Sequence, residues 1–192
     1  MMRNNLNPAC ANGLKMEDVM APKYPILAGI IMGSISDRPL VEPAKATLEE
    51  YEVLFASTVA SGHRTPKRVE DTVKEWEKRG CKVFICAAGM AAHLAGIVAS
   101  HTTLPVIAVP LASSSSTLGG LDALLASVQM PPGVPVMTMA INGAKNAAIA
   151  AIQILAIKEK LFELKLKNKR IGMVQDVEKA ALKLADEHGW PA

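Results

Sequence analysis

The chain has 192 residues, of which 50% are hydrophobic, 20% charged and only 4% aromatic, enough material for one packed domain and too apolar for pervasive disorder. Its formal net charge of +3 comes without any dense basic block, so nucleic acid is not indicated as a partner. No uninterrupted apolar stretch reaches the ~20 residues of a membrane span, which argues against a membrane partner. Three cysteines, Cys10, Cys81 and Cys86, form neither a disulfide framework nor a metal-spaced pair. Together these features fit a cytoplasmic protein whose buried thiols act as small hydrophobes.

Residues 1–24 lack the apolar core of a secretory signal and read as a flexible N-terminal extension, which leaves 25–192 as a single α/β domain with C-terminal helices. From Pro25 onward, apolar runs alternate with amphipathic stretches. ILAGIIMG (Ile26–Gly33) is a β-branched run stopped by Gly and Ser, the pattern of a buried parallel strand. A helix opens near Asp37, with Pro39 suited to its first turn, Leu40, Ala44, Thr47 and Leu48 on one face, and Pro43 an awkward guest. Glu52–Ser61 is the next strand. Thr65-Pro66 then starts a helix that carries Val69, Val73 and Trp76 on one side and stops at Gly80, with Thr65 as its expected cap.

Cys81–Gly89 is a third strand, Ala91–Thr102 a helix and Leu104–Leu111 a fourth strand. SSSSTLGG (Ser113–Gly120) is a loop too short to separate domains. LDALLASVQM makes a short helix ended by Pro131-Pro132-Gly133, Val134–Ile141 a fifth strand, Ala144 to about Lys165 a long helix and Gln175–His188 a last one. Strand–helix alternation with short connections predicts an α/β three-layer sandwich, flavodoxin-like, with a central parallel sheet. Such sheets bind ligands beyond the carboxyl ends of their strands, which directs attention to the segments just after Met32, Val59, Ala87, Pro110 and Ile141.

After the first strand, MGSISD (Met32–Asp37) offers a tight turn at Gly33, the hydroxyls of Ser34 and Ser36, and a helix start suited to an anion. Ser36 or Asp37 as a plain helix cap explains the same residues. The segment matches neither GxGxxG nor a P-loop. After the second strand, SGHRTP (Ser61–Pro66) sets His63, whose imidazole suits proton transfer at neutral pH, beside Arg64, a planar fork for phosphate. A histidine in a loop is more often solvated, but the strand-end position and the adjacent arginine favour function. In AAGMAAHLAG (Ala87–Gly96) small residues admit a flat ligand, and His93 is either a core histidine or a second catalytic group. Asp122 suits a helix cap, and Lys158–Arg170 reads as a solvated helix face.

Taken in order, MGSISD, SGHRTP, GMAAHLAG, GGLDALLASVQMPPGVPV and NGAKNAA resemble the N5-carboxyaminoimidazole ribonucleotide mutases of purine biosynthesis, over about Ile26–Ala156. The resemblance implies a three-layer α/β sandwich assembled as a homo-octamer, acting on a small-molecule ribonucleotide with no cofactor: no metal, biotin or ATP. It implies His63 and His93 as catalytic residues, Ser34, Ser36 and Arg64 at the 5′-phosphate, and Asp37 at the ribose hydroxyls. Ser61, Gly62, Gly89, Met90, Ala91 and Leu94 complete the implied substrate pocket, which should be small, dry and sealed to retain CO2, with Ser113–Gly120 as its lid.

This chain departs from the family at three positions, with Gly62 where Ala is usual, Met90 where Gly is usual and Ala95 where Pro is usual. The NGAKNAA segment (Asn142–Ala148) is about two residues shorter than in common bacterial members. A same-fold carboxylase taking aminoimidazole ribonucleotide and CO2 directly, a paralogue acting on another heterocycle, and a non-catalytic nucleotide-binding module remain as alternatives. Arg64, where such a carboxylase tends to carry Lys, and Ala91–Leu94 favour the mutase.

Overall fold

In the computed structural model, which describes residues 25–114 and 116–189, five apolar runs lie side by side as parallel strands. They are β1 (Ala28–Met32), β2 (Phe55–Val59), β3 (Val83–Gly89), β4 (Val106–Leu111) and β5 (Met137–Thr138), in the spatial order β2-β1-β3-β4-β5. Six α-helices connect and follow them: α1 (Arg38–Glu50), α2 (Pro66–Lys78), α3 (Leu94–Ser100), α4 (Leu121–Val128), α5 (Ala144–Ala156) and α6 (Lys160–His188). The extension expected over 1–24 lies outside the described residues. No helix among those described is long and apolar enough to cross a membrane.

The period-2 geometry of a strand sends alternate side chains to opposite faces, and both faces are covered here, as a parallel sheet requires. Ile30, Met32, Ile85, Ala87, Ile107 and Val109 meet α1 and α5 on one face. Ile31, Phe84, Cys86, Val106 and Ala108 meet α2 and α3 on the other. Gly29 is required by the second face: a Cβ there would sit 2.5 Å from the Trp76 ring. Without it, the indole lies flat over β1 and stacks on Phe84, with ring centroids 6.4 Å apart and planes within 6°. Pro43 is accommodated inside α1; the rigid ring forfeits one backbone donor, and Thr47 bonds the Pro43 carbonyl at 2.7 Å.

Two sequence expectations change. The fifth strand, expected over Val134–Ile141, shrinks to Met137–Thr138. Pro110 on β4 accepts from Asn142 on the β5 side (2.9 Å), so the N–H that proline lacks faces β5, and the ladder cannot continue there. The two C-terminal helices are also divided differently, with α5 ending at Ala156 and α6 running from Lys160 straight through the segment expected to separate them. The bend at 157–159 lets Phe162 bury in the α1–α5 core at 6% exposure and brings Lys165 Nζ to the Tyr51 carbonyl at 3.0 Å. Gly172, which resembles a breaker, is helical and open to solvent on its Cβ side, where glycine costs only about 1 kcal/mol relative to alanine.

Candidate active site

The strand order places β1 between β2 and β3, so the chain leaves β1 toward one edge and later returns on its other side. The crevice at this reversal, beyond the carboxyl ends of the strands, is where the sequence motifs gather. Gly33 follows β1 and donates its N–H to the Ala87 carbonyl at 3.0 Å. Ser34 then caps a 3-10 turn over Ile35–Asp37: its Oγ accepts the Ser36 N–H at 3.3 Å and the Ser36 hydroxyl at 2.8 Å. In return the Asp37 carboxylate accepts the Ser34 N–H at 2.9 Å, a reciprocal capping box. Asp37 occupies the N-cap position of α1 without bonding that helix through its side chain. It is 5% exposed. Burial pushes its pKa upward, with the Ser34 N–H and the Arg64 guanidinium pulling the other way.

The loop after β2 is tied on itself. The Thr65 hydroxyl accepts the Ser61 N–H at 2.9 Å and donates to the Ser61 carbonyl at 3.1 Å. The expectation that its side chain caps α2 is therefore corrected: Thr65 stands at the N-cap position, but its hydroxyl is committed to the loop. Ser61 Oγ accepts from the Arg64 backbone N–H (3.2 Å) and from Arg64 Nε (3.3 Å), and Arg64 Nη2 donates to the Gly33 carbonyl at 3.3 Å. The guanidinium thus bridges the ends of β1 and β2. Gly62 has no room for a methyl without displacing Ile97, whose Cδ1 would lie 2.6 Å from a Cβ.

After β3, α3 begins at Leu94 rather than Ala91, and residues 90–93 turn tightly, with Ala92 N–H to Met90 O at 2.9 Å and His93 N–H to Ala91 O at 2.8 Å. That turn delivers His93 to His63, Nδ1 to Nε2 at 2.9 Å, with the rings edge to face at 77°. One proton occupies this contact, so whichever ring donates, the other presents a lone pair. The His63–His93 pairing across 30 residues of sequence has no signature in either motif alone.

His63, Ser34, Ser36, Asp37, Ser61, Gly62, Arg64, Gly89, Met90, Ala91 and Leu94 all line one cleft of about 770 Å³. His93 is not among the lining residues and reaches the cleft through His63. Sequence reasoning missed Leu40 as a lining residue, read Ala88 only as one of the small residues admitting a flat ligand, did not single out Ala112, and assigned Ser113 and Ser114 only to a lid. The rule that ligands sit beyond strand ends pointed at the last three of these, since they directly follow β4. Gly89 is needed there, because a Cβ would approach Ser113 Oγ to 2.9 Å. Against the expectation of a sealed pocket, His63 and Arg64 are exposed in the single chain. Among the described residues no three His, Cys, Asp or Glu side chains converge as a metal site. Cys81 and Cys86 are buried; desolvation pushes the Cys81 thiol up to about 12 and Cys86 higher still, so neither is a reactive thiolate.

Met90 is a lining residue in the left-handed region, at φ 55, and its side chain is 51% exposed. For a side-chain-bearing residue that conformation costs roughly 1–2 kcal/mol, and half-exposed methionine recovers little by packing. Met90→Gly is expected to raise the denaturation midpoint, by about 1 kcal/mol of stability. A lowered midpoint would show that the thioether packs well enough to outweigh the strain.

Comparison with known proteins gives consistent findings. Residues 27–176 match the family model described as AIR carboxylase. The N5-carboxyaminoimidazole ribonucleotide mutase of Pyrococcus horikoshii is 50% identical over 164 residues, covering 85% of this chain and 91% of that protein. The protein of the same name from Methanocaldococcus jannaschii is 53% identical over 148 residues, covering 77% and 90%. A crystal structure of Treponema denticola PurE superposes with a TM-score of 0.74 at 28% identity, covering 82% of this chain and 98% of that one.

Proposed function

The chain belongs to the AIR carboxylase family, and on that premise we propose that it is an N5-carboxyaminoimidazole ribonucleotide mutase of purine biosynthesis. The observation that carries this is the convergence of His63, Arg64, Ser34 and Asp37 from two strand ends on one cleft, in a chain half identical to mutases over most of its length. Arg64 and the Ser34–Ser36 turn supply donors for the 5′-phosphate. Asp37, an acceptor already fixed by the Ser34 N–H, receives the ribose hydroxyls.

His63 moves the proton. In its protonated form it donates to N5 as the N–carboxylate bond breaks, leaving aminoimidazole ribonucleotide and CO2. Ring carbon C4 attacks the CO2, forming the new C–C bond, and neutral His63 removes the C4 proton to restore the aromatic ring. The proton taken at the end replaces the one given at the start, so no external acid is consumed. Holding CO2 against C4 converts a dilute encounter into a near-attack geometry, an effect of up to ~7–11 kcal/mol in general. That advantage is lost if CO2 diffuses away through an open cleft.

The exposed cleft and two apolar surfaces support assembly. Leu121, Leu125 and Val128 lie on one exposed face of α4, and Ile171, Val174, Val177, Leu182 and Leu184 are exposed along α6. A helix end with these residues in water is marginal alone. We place the enzyme in the cytoplasm as a homo-octamer whose neighbours shield the cleft. Light scattering should return about eight times the 20.4 kDa chain mass; a monomer mass would overturn the assembly.

The activity is tested by offering purified protein N5-carboxyaminoimidazole ribonucleotide without bicarbonate, or aminoimidazole ribonucleotide with it. Rapid conversion of the first at low CO2 establishes the mutase. Saturable turnover of only the second, at modest bicarbonate, would make the protein a direct carboxylase.

A further inference from the structure

NGAKNAA helped to place the chain in its family, yet none of its side chains lines the cleft. Its first residue, Asn142, stands where β5 has already ended and α5 has not begun. Its backbone is left-handed, at φ 57, and its carbonyl accepts the Ala144 N–H at 2.9 Å, at the start of α5. The N–H of Asn142 still donates to Pro110 on β4 at 2.9 Å, like a ladder bond. The next rung of a parallel ladder needs an acceptor for the Ala112 N–H, and the Asn142 carbonyl has turned away. The side chain fills the vacancy: Asn142 Oδ1 accepts the Ala112 N–H at 3.0 Å.

Ala112 begins the wall that closes the cleft after β4. Ser113, next to it, rests against the bare backbone of Gly89, and Ala112, Ser113 and Ser114 all line the cavity. The far end of the same loop returns to the same place. At Gly120 a Cβ would lie 3.1 Å from Ala112 N and 2.8 Å from Ile141 Cγ2, so both ends of the loop meet at the Ala112 amide and the residue preceding Asn142.

We propose that Asn142 is a positioning residue for the cleft, its carboxamide replacing a missing strand rung so that the Ala112–Ser114 wall is held against Gly89. The proposal rests on the assignment of the cleft as the ribonucleotide site. Asn142 acts through Ala112 and touches no substrate. Two properties of the residue are separable, its tolerance of left-handed backbone and its side-chain acceptor. Asn142→Gly keeps the first and loses the second; Asn142→Asp keeps both, since a carboxylate at this exposed position retains the oxygen at the same reach.

Hydrogen exchange of the Ala112 amide in unliganded protein and steady-state kinetics test this together. In the Gly variant the amide is expected to exchange at least about tenfold faster, with KM for N5-carboxyaminoimidazole ribonucleotide raised up to about tenfold, the scale of one net hydrogen bond. Its kcat should stay within about threefold, and the Asp variant should restore both exchange and KM. A Gly variant with parental exchange and KM would mean that Asn142 serves only the backbone bend, overturning the proposal. Faster exchange with an unmoved KM would also overturn it, because the wall would then not position substrate. Intact exchange contrast in a parent protein that converts no ribonucleotide would instead sink the functional assignment and leave the Ala112 pin standing.

Discussion

Replacing His63 by Asn is expected to abolish turnover while leaving ribonucleotide affinity within about tenfold. A positioned general acid–base contributes about 10²–10⁴ in rate, and the proposed cycle uses the same imidazole twice, first to protonate N5 and then to deprotonate C4. Both steps fail together, so kcat should fall by at least the lower end of that range. Asparagine keeps a polar group of similar size at the end of β2 but has no proton to give near neutral pH. Binding should survive because the phosphate donors proposed above are Arg64 and the Ser34–Ser36 turn. Single-turnover kinetics at saturating substrate, paired with calorimetric titration of the ribonucleotide, separates the two effects. A variant that folds normally but no longer binds ligand would remove His63 from the proton-transfer role and make it a binding residue.

The contact with His93 sharpens this expectation. Nδ1 of His93 lies 2.9 Å from Nε2 of His63, so the proton on one ring is shared with the other, and the tautomer of each is set by its partner. In the proposed cycle His93 acts through His63. A variant lacking His93 should lose rate by leaving His63 free to rotate, and by less than the His63 variant does, because the transferring group itself is still present.

The extent to which the chain announces this site depends on the range of the interactions involved. Strand ends and helix starts are local: Ile26–Gly33 and Cys81–Gly89 declare themselves by β-branching and the glycine that stops them, Ser61–Pro66 by the proline that opens the next helix, and the parallel-sheet rule then points to loops that line the cleft. What escaped is non-local. Thr65 reads as a helix cap from its place before Pro66, yet its hydroxyl is spent on Ser61, because the loop must hold Arg64 across to Gly33. The fifth strand fails at Thr138 because of Pro110 on a neighbouring strand. The run from Lys158 to Arg170 looks like a plain solvated face, but Phe162 is buried and Lys169 pairs with Glu50 at 2.5 Å, contacts made over more than a hundred residues of sequence. The five family motifs in order located the cleft more completely than periodicity did, since they carry the outcome of such distant contacts.

Arg64→Ala carries the second large effect, on binding rather than rate. The guanidinium is held at two points, by Ser61 Oγ through Nε and by the Gly33 carbonyl through Nη2, while the Arg64 backbone N–H also donates to Ser61 Oγ, which leaves its other donors for the cleft that it lines. A charge-assisted hydrogen bond contributes about 1.5–3 kcal/mol, so loss of the phosphate contact should weaken ribonucleotide binding by roughly 10- to 150-fold, with kcat falling much less. Titration calorimetry reads this directly, and unchanged affinity would remove Arg64 from the phosphate site. The substitution also reaches Asp37. Burial already pushes that carboxyl above the ordinary range, and the Arg64 charge partly offsets it. Without the guanidinium the Asp37 pKa rises further, and protonation removes the charged acceptor proposed for the ribose hydroxyls. The variant's affinity should accordingly begin to fall, as the pH is lowered, at a higher pH than in the parent. A pH profile displaced in neither direction would separate Asp37 from the arginine's field and leave the phosphate contact as the whole effect.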